Sequence, residues 1–226
     1  MIVAERKPFE EIVAAVSDYR RVLVAGCGTC VAVCLAGGEK EAGILAAQLD
    51  LAARLAEREQ AFATACVERQ CDREFLDELA GEMEDCDAVL SLACGAGVQF
   101  LAERFPGTPV LAGLNTTFIG VNQDVGRWEE RCRACRDCSL GFTGAVCAVS
   151  LCPKGMQNGP CGGAVEGKCE TDPQRDCAWS LIHASLAASG RLADLDRLAP
   201  PRDFSRPALP GAQTHAAYLR RYSAHD

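Results

Sequence analysis

The chain has 226 residues, 15 of them cysteine, with 49% hydrophobic residues and a formal net charge of -8. That is enough apolar material for one or two globular domains, and too acidic a balance for nucleic acid as a main partner. No run of about 18 apolar residues is present to span a membrane, and MIVAERKPFEEIV is charged rather than leader-like, so a cytoplasmic protein without a membrane partner is expected. In a reducing compartment, fifteen cysteines point to metal ligation or catalysis rather than disulfides.

Residues 1–20 read as a short amphipathic helix, with Phe9, Ile12, Val13 and Val16 at helical spacing. Val22 to Gly26 (VLVAG) is a short apolar run closed by glycine, the pattern of a buried parallel strand. Cys27, Cys30 and Cys34 follow at its carboxyl end, spaced C-x2-C-x3-C. A long helix is expected from about Glu39 to Glu59, with Glu39, Lys40 and Glu41 as its solvated start.

The pattern then repeats. Ala61–Cys66 reads as a second strand, Cys71 as part of the loop after it, and Phe75, Leu76, Leu79 and Met83 as one helix capped near Asp72. Asp87 opens a third strand, AVLSLA, followed by Cys94 and a helix through Phe105; Pro109–Gly113 gives a fourth. Alternating strand and helix predicts a Rossmann-like parallel α/β sheet with right-handed crossovers. In such sheets ligands bind outside the carboxyl ends of the strands. Cys27, Cys30, Cys34, Cys71 and Cys94 all fall at those ends, so they are expected to converge. Cys66 and Cys86 read instead as small apolar fillers.

Asn115–Trp128 is expected to link this domain to a loop-rich module. That module carries Cys132, Cys135, Cys138, Cys147, Cys152, Cys161, Cys169 and Cys177 among Gly, Pro, Asn, Asp and Arg. Such a stretch cannot build an apolar core, so ligand bonds must replace one. Cys132, Cys135 and Cys138 form C-x2-C-x2-C, three parts of a bacterial ferredoxin run. Eight cysteines make two sets of four, which suits two [4Fe-4S] clusters. Zinc is the alternative, although its usual paired C-x2-C knuckles are missing. The glycines of GPCGG and CGAG let backbone N–H groups approach a cluster. Arg127, Arg131, Arg133 and Arg136 either offset cluster charge or dock an acidic partner such as a ferredoxin.

Beyond the module, Ala178–Leu198 reads as a helix, a break at Gly190 and another turn. Leu181, Ile182, Leu186, Leu192 and Leu195 are expected to dock on the first domain. The segment from Pro200 reads as extended and His215–Asp226 as a short helix or frayed end. The expected division is 1–120, 121–180 and 181–226.

Other chemistries fit less well. Cys27 and Cys30 follow a strand and precede a helix, as in thioredoxin-type redox pairs, but additional thiols crowd them. The C-x2-C-x3-C order is the reverse of the radical S-adenosylmethionine order. Gly26 and Gly28 begin a dinucleotide fingerprint, but Val31 stands where its third glycine belongs. His183, His215 and His225 have no ligand spacing. No positioned acid–base pair or flavin-binding signature is visible.

The runs VAGCGTCVAVCLAGGEKE, ERQCDREF, ACGAGVQFLAERFP, LNTTFIGV, WEERCRACRDC, NGPCGGAVEGKCE and DCAWSLI resemble the MetV family. These are small iron–sulfur subunits associated with methylenetetrahydrofolate reductase in acetogens and other anaerobes. The resemblance covers roughly residues 20–200. It implies a chain that exchanges electrons with the flavin of a MetF-like partner subunit, which carries FMN or FAD. A ferredoxin or another electron-donor subunit is a further implied partner. It also implies that Cys27, Cys30, Cys34, Cys71 and Cys94 belong to an N-terminal motif with a third cluster, and the eight from Cys132 to Cys177 to a C-terminal one. Pro153 follows Cys152, where the family is expected to carry its Cys-Pro at Cys147. The fourth ligands therefore stay open.

Overall fold

The apolar run that closes at Cys27 is buried over nearly its whole length, as a strand covered on both faces must be. In the computed structural model, which describes residues 1–201, 211–213, 215 and 216, the chain divides into two compact units, Met1–Arg131 and Cys132–Asp226.

The first unit opens with β1 (Ile2–Arg6), α1 (Phe9–Val16) and β2 (Arg21–Cys27). Then come α2 (Cys30–Val33), α3 (Glu39–Leu55), β3 (Ala61–Val67), α4 (Arg73–Leu76), α5 (Ala80–Glu84), β4 (Ala88–Ser91), α6 (Gly95–Arg104) and β5 (Val110–Ala112). The last two strands are β6 (Leu114–Asp124) and β7 (Arg127–Cys132). β2–β5 form a four-stranded parallel sheet in the order β3-β2-β4-β5. The α/β expectation is met.

Side-chain alternation divides the core between the two faces of that sheet. Val22, Val24, Leu90 and Leu92 pack with Ile12 and Val16 of α1 and with Leu45 and Leu49 of α3. Leu23, Ala25 and Val89 pack with Leu76, Leu79, Met83 and Leu101 on the other side. Each fully buried Leu or Val contributes roughly 1.5–3 kcal/mol, so the parallel sheet is the rigid frame of the unit. α3 ends at Leu55, ahead of the expected Glu59, because Glu57 turns left-handed (φ 52°). Its start is held by the Glu41 carboxylate, which accepts the Gly38 N–H at 3.0 Å. Asp72 caps α4 as expected, its Oδ1 accepting the Glu74 N–H.

Three expectations need correction. Residues 1–20 are not one helix: Ile2–Arg6 is a strand, and only Phe9–Val16 is helical. Pro8 fixes that start, since it cannot continue a helix backwards. Asn115–Trp128 is not a link but most of β6 and the start of β7, in a second sheet ordered β1-β6-β7. β1 runs antiparallel to β6, with Ile2 opposite Ile119 and Arg6 opposite Leu114. The helix expected over Phe75–Met83 is broken by a 3-10 turn at Asp77–Leu79.

The second unit begins where β7 ends. It contains α7 (Ala148–Leu151), the two-stranded β8 (Lys168–Cys169) and β9 (Asp172–Asp176), and α8 (Ala178–Ala188). A 3-10 turn, Leu192–Asp196, follows the break at Gly190, where φ is +68°. Its core is small: Ala148, Ile182 and Leu186 are buried, with Val146 and Trp179 against them. Ile182 and Leu186 fill this unit's own core. Leu181, Leu192 and Leu195 are exposed. Most of the expected extended tail, its terminal helix and His225 lie outside the described residues. Among those described, no helix is long and apolar enough to cross a membrane.

Candidate functional site

Strand order in the parallel sheet reverses between β2 and β4. A crevice at the carboxyl ends of those strands follows, because the crossovers leave in opposite directions. Cys27 is the last residue of β2, Cys94 follows β4, and Cys71 sits four residues past β3. The first unit therefore brings these chain segments to one sheet edge.

The loop with Cys30 and Cys34 is folded back onto that edge. The Cys27 N–H donates to the Gly37 carbonyl at 2.8 Å. Gly37 lies so close to β4 that a Cβ there would stand 2.0 Å from the Leu92 carbonyl oxygen. Only glycine allows that approach. The loop after β3 is held by Gly28, whose N–H donates to Val67 O at 2.8 Å. Cys94 caps α6, where the Gly95 N–H donates to Thr116 Oγ1 at 2.9 Å.

The residue that ties these segments together is Gln70, fully buried beside Cys71. Its Nε2 donates to the carbonyls of Ala25 (2.9 Å) and Gly26 (3.0 Å), just before Cys27. Its Oε1 accepts from Ser91 Oγ at 2.6 Å, and Ser91 Oγ in turn accepts the Ala93 N–H, just before Cys94. Sequence reading missed both residues. Ser91 did leave a signal, as the one polar side chain inside the apolar run AVLSLA. Gln70 left none, because nothing local distinguishes a buried glutamine from a loop one.

Cys71 is exposed, yet partial desolvation by its surroundings pushes its thiol up, and repulsion from Cys94, Cys27 and Cys30 adds to it. Cys34 is raised mainly by burial, with Cys30 and Glu41 as its charged neighbours. The Cys34 Sγ lies 3.3 Å from the Cys30 carbonyl oxygen and 3.6 Å from that of Val31. It lines a groove of about 400 Å3 with Val3, Ala4, Phe118 and Trp128. Cys66 packs against Gly26 and is raised by burial, while Cys86 packs on the second core.

In the second unit the eight thiols sit on turns and element ends. Cys147 and Cys152 flank α7, Cys169 ends β8, and Cys177 caps α8 while its N–H donates to Gly167 O at 2.7 Å. Within RCRACRDC, Ala134 and Arg136 take left-handed φ of 50° and 61°. Non-glycine residues adopt this at a cost of about 1–3 kcal/mol. The result is an Ala134 N–H directed at the Cys132 sulfur, 3.3 Å away. Cys169 is held below the usual thiol range by the Thr171 hydroxyl at 3.2 Å and its backbone N–H. Arg127 and Arg131 both pair with Glu129, at 2.6 and 2.5 Å, which draws that carboxyl below its ordinary range.

All fifteen cysteines are free thiols. Among the described residues no three His, Cys, Asp or Glu side chains are drawn together tightly enough to hold one metal ion. His183 is exposed on α8 and His215 is exposed.

The chain thus combines a switch-point α/β unit with a thiol-rich module of little apolar core. Residues 111–205, which include all eight thiols of that module, match the family described as methylene-tetrahydrofolate reductase C terminal. No curated protein and no solved structure matches the chain.

Proposed function

We propose that the chain is an iron–sulfur electron-transfer subunit of a methylenetetrahydrofolate reductase complex. It delivers electrons to, or takes them from, the flavin of a partner subunit, and so supports reduction of methylene- to methyl-tetrahydrofolate. The observation that carries this reading is a coincidence. The stretch similar to the reductase family is also the stretch whose eight thiols far outweigh its apolar core. In such a module ligand bonds must supply the stability that burial does not.

The donor chemistry fits sulfur-ligated iron. The eight cysteines from Cys132 to Cys177 are free thiols, a number sufficient for two [4Fe-4S] clusters, and the first unit offers thiols for a third. Such clusters supply one-electron relays whose potentials respond to burial and to N–H bonds on sulfur. The residues of the chain set those conditions. The Ala134 N–H donates to the Cys132 sulfur, and Thr171 holds the Cys169 thiol below its usual range. Arg127 and Arg131 are occupied by Glu129, which leaves this strand a mixed-charge face for a partner.

The test is anaerobic purification of the chain with its flavin-bearing partner. Iron, sulfide and zinc are quantified, and spin resonance is recorded after dithionite reduction. About eight to twelve irons per chain with matching sulfide and a reduced [4Fe-4S] signal are expected. One or two zincs without iron would refute electron transfer and leave a zinc-stapled structural subunit.

A further inference from the structure

The first unit offers five thiols near one sheet edge, and a cubane has four corners. Resting on the iron–sulfur reading above, the structure says which thiol stands apart. Cys27, Cys71 and Cys94 belong to the three segments that meet at the switch point. Gln70 binds those segments together through Ala25, Gly26 and Ser91. Cys30 opens α2 on the loop that Gly37 pins against β2 and β4.

Cys34 is set against β1. Its sulfur is 6% exposed as part of the residue, lies within hydrogen-bonding reach of the Cys30 and Val31 carbonyls, and approaches the Ile2 carbonyl at 3.9 Å. Its surroundings are β1, Phe118 and Trp128. The thiol closes the turn of α2 and packs it beneath β1. Cys66 stands apart for a different reason. Its sulfur fills the space that a side chain on Gly26 would need, 2.9 Å from the ideal Cβ position.

We propose that Cys27, Cys30, Cys71 and Cys94 ligate one [4Fe-4S] cluster in the first unit, and that Cys34 is a structural thiol bracing their loop. Each of the four thiols releases its proton to solvent as it takes an iron. Gln70 acts through them as a positioning residue.

The experiment compares single variants of the full chain, purified anaerobically, by iron and sulfide content and by spin resonance in oxidised and reduced forms. Cys71→Ala and Cys94→Ala are expected to lose about four irons per chain or to leave an oxidised three-iron signal. Cys34→Val, chosen to keep volume in a buried site, and Cys66→Ala are expected to keep the wild-type iron and spectrum. Cys71 is exposed, so its alanine variant leaves the core intact and its result does not hinge on folding. Wild-type iron in Cys71→Ala, or a loss in Cys34→Val equal to that in Cys94→Ala, would overturn this ligand set and leave the electron-transfer reading standing. A wild-type chain without iron would overturn both.

Discussion

Replacing Gln70 by alanine should loosen the first unit. Gln70 is wholly buried and makes three hydrogen bonds. The Ala25 carbonyl also accepts the Leu92 N–H, so it keeps a partner. The Ser91 hydroxyl, itself fully buried, loses its acceptor. Two lost bonds to backbone at about 1 kcal/mol each, and one stranded hydroxyl at about 1–3 kcal/mol, give roughly 3–5 kcal/mol. With a urea slope of about 2 kcal/mol/M, the midpoint should fall by roughly 2 M. Tryptophan fluorescence can follow this unit alone. Trp128 lies in the first unit and Trp179 in the second, so a Trp179→Phe background leaves a single reporter. Ser91→Ala should cost about 1–3 kcal/mol, and the double variant should be less destabilised than the sum by about 1–2 kcal/mol, because both changes remove the same bond. A shift below about 0.4 M for Gln70→Ala, or strict additivity of the pair, would refute the tie between the three segments.

Gly37→Ala should destabilise the first unit by about 3 kcal/mol or more, because its Cβ would meet the Leu92 carbonyl at 2.0 Å. Gly43→Ala, exposed in mid-helix with open space around it, should instead stabilise by about 0.5–1 kcal/mol; equal effects at both sites would sink the close-approach reading. Asp87 accepts the Arg21 N–H at 2.8 Å and its guanidinium at 3.1 Å, which hold its carboxyl below the ordinary range. Its folded value is depressed, so its contribution is whole above the unfolded value near ~3.9 and is lost as pH falls towards the folded one. Urea midpoints of wild type and Asp87→Asn should therefore converge on acidification below about pH 4, and curves that stay parallel would count against this pair. Stripping metal with a chelator should collapse the Trp179 signal of the second unit, whose core cluster among the described residues is Ala148, Ile182 and Leu186, while the Trp128 signal persists. An unchanged Trp179 spectrum after complete metal removal would show that the module folds without ligand bonds.

The parallel sheet was legible because its code is local. Each strand is a short apolar run, each crossover helix has an apolar stripe, and glycine or a charged residue marks most boundaries. The cysteines after β2, β3 and β4 were legible for the same reason, since parallel topology alone sends those ends to one edge. The β1-β6-β7 sheet was not legible. Ile2–Arg6 mixes apolar and charged residues, and its partner lies more than a hundred positions away, so no nearby pattern announces the pairing. α4 and α5 read as one helix because apolar spacing persists through Asp77–Leu79, although the backbone tightens there. Within the site, the thiols could be named from sequence, but Gln70, Ser91 and Gly37 matter only through what folding puts beside them. The stripe of Ile182 and Leu186 recorded that a helix face is buried, but not that Ala148 is among the residues burying it.

The pairing of β1 with β6 also sets a timetable. Ile2 pairs with Ile119, so a strand made early is held by one made much later. At about 5–20 residues per second, roughly 6–24 s of synthesis separate the two. Through that interval the parallel strands can assemble one by one as they emerge, while the leading segment waits unpaired. Cys34, whose sulfur faces Ile2, is left uncovered over the same period. The chain is therefore born with its thiol loop open on that side and shuts it late, which leaves the nascent loop accessible to delivered iron and equally to oxidants.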